Sequence, residues 1–241
     1  MAGTYVCQPF LKIAPPSLIN EYTMSIESFV EKLAELSPLN QMSRNMYKGD
    51  TTGAMDRRGN LLYYLEFMQE MNPVRLFVGE APGRLGCYLT GVPFTDEYTM
   101  VNNPFFRNRY CLIKDLMSFD NDVRPQSEST ARVVWGCLDK IPKECFPLMW
   151  NIYPFHPSDV EDKYFSIDDR PNRKPNRLEC EMGKHVLMML LDCFDIKEIY
   201  AIGRTAETIL KNEYSCIKYI RHPSRGGANE FRKVFDSIFG L

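Results

Sequence analysis

The 241-residue sequence contains no long apolar run. Nothing in it approaches the roughly 18–20 consecutive apolar residues that a membrane-spanning helix needs. An excess of one charge is also missing. Lys and Arg total 29 against 31 Asp and Glu, for a net charge of −2, which excludes a protein that coats nucleic acid by bulk charge. An enzyme with one local basic groove remains compatible with that balance. Closely spaced cysteines are absent as well. The eight cysteines stand at 7, 87, 111, 137, 145, 180, 193 and 216, with no CxxC or CxxxC pair among them. Zinc and iron–sulfur sites usually draw two ligands from one short turn, so no metal and no cofactor is expected. The stretch Met1–Cys7 has neither the basic start nor the apolar stretch of a secretory signal. A cytoplasmic location with reduced thiols is the corresponding expectation. Cys193 and Cys216, set in the apolar segments Leu187–Phe194 and Tyr214–Ile220, read as small buried hydrophobes. No GxGxxG or GxxxxGK[ST] motif follows any predicted strand, which disfavours a nucleotide-cofactor enzyme.

What is present is an ordinary globular composition, 44% hydrophobic and 25% charged, without repeats or low-complexity linkers. A single domain over 1–241 is expected, with 1–57 as a helical extension packed on a core of 58–241. Ile26, Phe29, Val30, Leu33 and Leu36 share one helical face within Met24–Leu36. Lys48–Asn60 reads as a polar interruption with turns at Gly49-Asp50 and Arg58-Gly59. Helical period returns from Leu61 to Met71. Beyond Pro73, short apolar runs at Val74–Val78, Pro147–Ile152, Glu198–Ile202 and Cys216–Ile220 read as strands. Helical patterns fall at Arg107–Phe119, Thr130–Lys140, Arg177–Phe194, Thr205–Asn212 and Ala228–Phe239. Short apolar strands alternating with helices predict parallel βαβ units and a three-layer α/β domain.

Ligands in such sheets bind beyond the carboxyl ends of the strands, so the residues following each strand carry the functional information. The first strand is followed by Gly79-Glu80-Ala81-Pro82-Gly83 and then Gly91-Val92-Pro93-Phe94-Thr95. The second leads into Asn151–Pro157 and on to Asn172-Arg173-Lys174-Pro175-Asn176-Arg177. Gly203-Arg204-Thr205 follows the third, and Arg221-His222-Pro223-Ser224-Arg225-Gly226-Gly227 the fourth. A carboxylate, an amide, an imidazole and an aromatic ring are thus directed to one sheet edge. Such a set can stack on and hydrogen-bond a planar base with acid/base groups beside it. Basic residues concentrate there too, with Arg170, Arg173, Lys174 and Arg177 in one loop and Arg221 and Arg225 in another. Glycine-rich turns also let backbone N–H groups approach phosphates closely. His156 and His185 read as structural.

In this order, GEAPG, TGVPFT, an Asn-containing strand end, NRxP and a terminal HPS resemble the uracil-DNA glycosylase superfamily, most of all its GEAPG-bearing bacterial and archaeal branches. The likeness begins upstream at Asn60–Leu65 and reaches the C-terminus. It implies a three-layer α/β/α sandwich with a central four-stranded parallel sheet, base flipping, and hydrolysis of the N-glycosidic bond. The partner it implies is single- or double-stranded DNA, acted on by a monomer. Glu80 would orient or activate the attacking water, or stabilise positive charge on the sugar, and His222 would hydrogen-bond the base O2. Gly79, Ala81, Phe94 and Asn151 would hold the base, Phe94 by stacking and Asn151 through its Watson–Crick edge. Gly83, Arg173, Arg177, Arg221, Ser224, Arg225 and Gly226 would contact DNA. No motif turn offers a lysine for Schiff-base chemistry, so strand cleavage is not expected.

The chain departs from these branches in three places. The cysteine pattern of the iron–sulfur members is missing. Arg84-Leu85-Gly86-Cys87-Tyr88 stands where acidic residues are usual, and the spacing from GEAPG to GxPF is one residue longer. The first half-hundred residues and Phe119–Thr130 are expected to add to the base pocket. Uracil is the default substrate. A bulkier modified pyrimidine, such as a hypermodified cytosine of phage DNA, is the alternative, and a catalytically silent DNA-binding protein is the alternative of another class.

Overall fold

Ile26, Phe29, Val30 and Leu33 recur at helical spacing, and in a computed structural model they form the buried face of helix α1 (Ile26–Glu35). The Ser25 side chain caps this helix by accepting from Ser28 N–H. The structure describes residues 24–107, 124–158 and 173–241. Of the expected helix Arg107–Phe119 only the first residue is described, at the end of a short helix; the remainder lies outside the described residues.

Helix α2 (Thr52–Met71) corrects the reading of Lys48–Asn60 as an interruption. Thr51 accepts from Ala54 N–H and starts the helix, so Arg58-Gly59 lies inside it rather than in a turn. The same helix runs across position 57/58, so no break separates an N-terminal extension from the core there. It ends where Asn72 takes a left-handed conformation (φ 49°) ahead of Pro73.

Strand β2 (Arg75–Gly79) follows, and the sheet is completed by β3 (Leu148–Asn151), β5 (Glu198–Ile202) and β6 (Lys218–Ile220). All four are parallel, in the order β3-β2-β5-β6. The sequence pattern anticipated each of them to within two residues. Two small strands went unread: β1 (Ser43–Arg44) pairs antiparallel with β4 (His156–Pro157). Two-residue strands carry no periodicity to detect. Cys216 is corrected as well: β6 begins only at Lys218, leaving Cys216 exposed in the preceding turn, while Cys193 is partly buried.

The remaining helices are α3 (Cys87–Thr90), α4 (Glu97–Asn102), α5 (Pro104–Arg107), α6 (Ser129–Leu138), α7 (Arg177–Leu191), α8 (Arg204–Leu210) and α9 (Ala228–Phe239). One continuous core unites them, from Phe29 and Leu33 through Leu76, Phe77 and Trp150 to Phe231 and Phe235. No helix among the described residues is long and apolar enough to cross a membrane.

One close contact ties this packing to the sheet edge. A Cβ placed on Gly183 of α7 would lie 1.8 Å from Ile152 O and 2.9 Å from Tyr153 Cα. Helix backbone therefore rests directly on the chain leaving Asn151. Gly183→Ala should force the two apart at about 1–3 kcal/mol, lowering Tm by about 3–10 °C. Gly136, exposed on α6 with nothing within 4 Å of its Cβ position, is the control: calorimetry of Gly136→Ala should show no loss.

Candidate active site

The parallel topology brings Gly79, Asn151, Ile202 and Ile220 to one edge as the last residues of their strands. Past β2 the ladder continues for two residues: Ile152 N–H donates to Gly79 O (2.9 Å) and Tyr153 N–H to Glu80 O (3.0 Å). The Glu80 backbone is thereby fixed beside Asn151. Its carboxylate accepts from the Thr205 hydroxyl, in the first turn of α8. On the far side, Gly203 (φ 93°) donates its N–H to Ile220 O (2.9 Å), and a Cβ at Gly203 would lie 3.4 Å from His222 Cβ. His222 therefore packs against the turn at Gly203, near enough to Glu80 to sense its charge.

The tautomer of His222 follows from its partners. Ser224 N–H donates to Nδ1 (3.1 Å), and the Ser224 hydroxyl lies 2.8 Å from the same nitrogen. With Nδ1 accepting, the neutral ring carries its proton on Nε2. Burial pushes the imidazole pKa below its ordinary value; the Glu80 charge opposes that shift and Arg225 adds to it. The site therefore holds a neutral imidazole with one N–H to offer.

Phe94 and Asn151 meet over Gly79. A Cβ on Gly79 would stand 2.4 Å from Phe94 Cζ and 2.7 Å from Asn151 Oδ1, so only glycine fits. Phe94 itself has φ 56°, a left-handed conformation that a non-glycine residue holds only when its surroundings impose it. Here they do. Thr90 Oγ1 donates to Thr95 O (2.8 Å), Asn60 Nδ2 to Thr90 O (2.7 Å), Tyr47 OH to Gly91 O (2.7 Å) and Trp135 Nε1 to Thr95 Oγ1 (3.1 Å). Asn151 is 4% exposed, and its Nδ2 points at Cys87 Sγ (3.9 Å). Glu80, His222, Phe94 and Asn151 are thus held around one edge, where a planar ring could stack and be hydrogen-bonded on two sides. Ala81 is half-buried against the core beneath them.

The chain is structurally similar to wild-type SMUG2 of Pedobacter heparinus, with a TM-score of 0.63 and 15% identity over 90% of this chain and 98% of that one. The fold is uracil-DNA glycosylase-like. No protein-family model matches the sequence, and no curated protein does.

Within this uracil-DNA glycosylase-like frame the expected DNA-contacting residues divide. Arg221 and Arg225 are exposed on the loop after β6; Arg221 Nη2 donates to Arg225 O (3.3 Å), and its Nε lies 3.6 Å from Glu230. Arg225 (φ 52°) and Gly226 (φ 80°) turn the loop sharply. Ser224 is committed to His222 instead. Arg177 is exposed at the start of α7. Arg173 is a correction: its guanidinium turns inward, donating to both Glu179 oxygens (2.7 Å each), to Ser158 O (3.0 Å) and to Met42 O (3.0 Å). Arg170 lies outside the described residues. His156 is 2% exposed and bonded to Pro82 O (2.9 Å), which bears out its structural reading and supports the motif turn from behind.

Thr205, Cys87 and Glu128 join the site without having been singled out. Thr205 stood in a turn already flagged as following a strand, so its position was readable. Cys87 and Glu128 fall in the segments Arg84–Tyr88 and Phe119–Thr130 already marked by the sequence, but neither residue had a signal of its own. The Glu128 carboxylate reaches the motif turn from another element, contacting the space above Gly83 and Gly86.

Proposed function

We propose that the protein is a DNA glycosylase and a divergent member of the uracil-DNA glycosylase superfamily. It would hydrolyse the bond between a flipped pyrimidine and its deoxyribose and leave an abasic site, without strand cleavage. The observation that carries this reading is the placement of Glu80 and an Nε2-protonated His222 at one sheet edge with Phe94 and Asn151.

Breaking the glycosidic bond sends its electron pair to the base and leaves an oxocarbenium-like sugar. A carboxylate opposes the positive charge, and an N–H donor at O2 opposes the negative one. Glu80 fits the first role and also the orientation of the water that adds to C1′. His222 fits the second, and Phe94 and Asn151 the holding of the ring. Exposed Arg177, Arg221 and Arg225 are the residues proposed to meet phosphates, each adding to the salt sensitivity of binding. Uracil is the default base, a monomer the working state, and base-excision repair in the cytoplasm the setting.

The test is base release from end-labelled oligonucleotides holding one uracil, single-stranded or paired with G or A, with alkali revealing abasic sites. Release by the protein and none by a Glu80→Gln, His222→Ala double variant is the expected result. Tight DNA binding without release of any base would overturn it.

A further inference from the structure

Gly203-Arg204-Thr205 follows β5 at the same edge as Glu80, and the chemistry above gives its side chains no role. Val78 lies opposite Ala201 in the β2–β5 ladder, so Glu80 and Gly203 leave the sheet at the same level. Gly203 (φ 93°, ψ 165°) holds a conformation essentially confined to glycine, and α8 starts at once. Thr205, the second residue of that helix, is buried. Its hydroxyl donates to Glu80 Oε2, 125 positions away in the sequence. A threonine inside a helix ordinarily turns its hydroxyl back onto its own helix. Thr208 of α8 does so, donating to Arg204 O (2.8 Å). Thr205 reaches out of the helix instead.

Glu80 depends on that hydroxyl. Among the described residues Thr205 is the sole hydrogen-bond donor to its carboxylate. The Glu80 backbone is fixed, its carbonyl accepting from Tyr153 N–H (3.0 Å). Several rotatable bonds still separate that backbone from the carboxylate, and an untethered Glu side chain keeps many rotamers. Other ionisable groups sense the Glu80 charge without bonding to it. On the loop after β6 it opposes the burial that lowers the His222 imidazole, while Arg225 adds to that lowering. On α7 it is the second cause, after burial, that raises the Cys180 thiol to about 11. The carboxylate is therefore tethered by one neutral donor, through Oε2. Oε1 is left for the water or for the positive charge at C1′.

We infer that Thr205 is a positioning residue for the proposed reaction: its hydroxyl holds Glu80 Oε2, keeping the carboxylate ionised and turned toward the glycosidic bond. This rests on the glycosylase reading and adds to it a residue that acts only through Glu80. A hydroxyl donating to a carboxylate favours the charged form. Its loss frees the side chain and lets protonation compete at higher pH.

Single-turnover release from a uracil duplex is followed against pH for wild type, Thr205→Val, Thr205→Ala, Thr205→Ser and Thr208→Val, and thermal melting verifies folding. Thr205→Val keeps the shape and loses the hydroxyl; Thr205→Ala repeats the deletion in case the valine variant misfolds. Both should release base about 10–100-fold more slowly, with the acid limb of the profile about one pH unit higher. Thr205→Ser should recover most of the rate and the wild-type profile, and Thr208→Val should match wild type. In a Glu80→Gln background, Thr205→Val should slow release by less than about threefold more, since its effect passes through the carboxylate. Carbon-13 NMR of the Glu side-chain carboxyls, with Glu80 assigned by its loss in Glu80→Gln, follows the same titration without turnover. The Glu80 signal should titrate at higher pH in Thr205→Val than in wild type. Release by Thr205→Val within about twofold of wild type overturns the inference and leaves the glycosylase reading in place. So does a loss with the pH profile unchanged, or one that serine does not restore. No base release by wild type from any duplex removes the glycosylase reading, and the role of Thr205 with it, even where NMR shows the bond.

Discussion

A His222→Ala variant should release base about 10²–10³-fold more slowly than wild type in single-turnover experiments, the usual loss when one donor to a developing oxyanion is removed. The magnitude follows from geometry. Ser224 N–H occupies Nδ1 at 3.1 Å, so the ring has one N–H left, on Nε2, and nothing else on its loop replaces it. Ser224→Ala removes the hydroxyl 2.8 Å from Nδ1 but retains the backbone N–H, so its loss should stay within about tenfold. Both variants should keep the DNA affinity of wild type to within a few-fold, because in the proposed mechanism the bond is made to charge that develops only in the transition state. A His222→Ala rate within threefold of wild type would remove this residue from the chemistry.

Glu179→Ala should be the most destabilising single change away from the site. Glu179 is fully buried at the start of α7, where it accepts from both Arg173 nitrogens, from Ser43 Oγ (2.6 Å), from Asn40 Nδ2 (2.9 Å) and from Asn176 N–H (2.7 Å). Removing it takes the carboxylate partner from a mostly buried guanidinium, a loss of about 3–5 kcal/mol, or about 10 °C in Tm. The same cluster holds β1 against β4, and β4 carries His156 to the Pro82 carbonyl, so the motif turn should loosen with it.

Acid titration should separate two contributions. Burial alone would raise the Glu179 carboxyl, but the bonds from Arg173, Ser43, Asn176 and Asn40 outweigh it and hold the pKa at about 2 against an ordinary 4.5. A lowered carboxylate contributes stability that is complete above pH 4.5 and lost as pH falls through 2. Burial holds His156 at about 4 against 6.5, opposed by its bond to Pro82 O. Its neutral form is the native one, so this contribution is complete above pH 6.5 and lost as pH falls through 4. Each amounts to about 3 kcal/mol. Urea unfolding of wild type should weaken over both windows, and Glu179→Ala should lose only the lower limb.

The strands were legible because a parallel sheet covered on both faces writes itself as short, nearly unbroken apolar runs. Leu76-Phe77-Val78 and Ile199–Ile202 are of this kind, and all are buried. Helix α9 was readable to the residue, because its apolar face alternates with charge and it ends at Gly240 (φ 70°). Helix α2 was misread at its start because Gly59 and a polar run resemble a turn when only local sequence is seen; capping at Thr51 and burial of Ala54 and Asn60 decided otherwise.

The candidate site shows the same division. Glu80, Asn151 and His222 could be named in advance, since Glu80 follows β2, Asn151 ends β3 and His222 lies two residues past β6, and topology sends every strand end to one edge. Arg173 was misjudged because its partner Glu179 is fixed by a helix cap that also collects Ser43 from 136 residues away. Cys87 and Glu128 were legible only as members of marked segments, Arg84–Tyr88 and Phe119–Thr130, because their neighbours come from other elements. The sequence by itself determined the α/β order, the sheet and the residues at its edge, all properties of local periodicity. Only the tertiary structure decided which charges face inward, which imidazole nitrogen keeps its proton, and which acid lies over the glycine turn. Those depend on desolvation and on contacts between residues far apart in the chain.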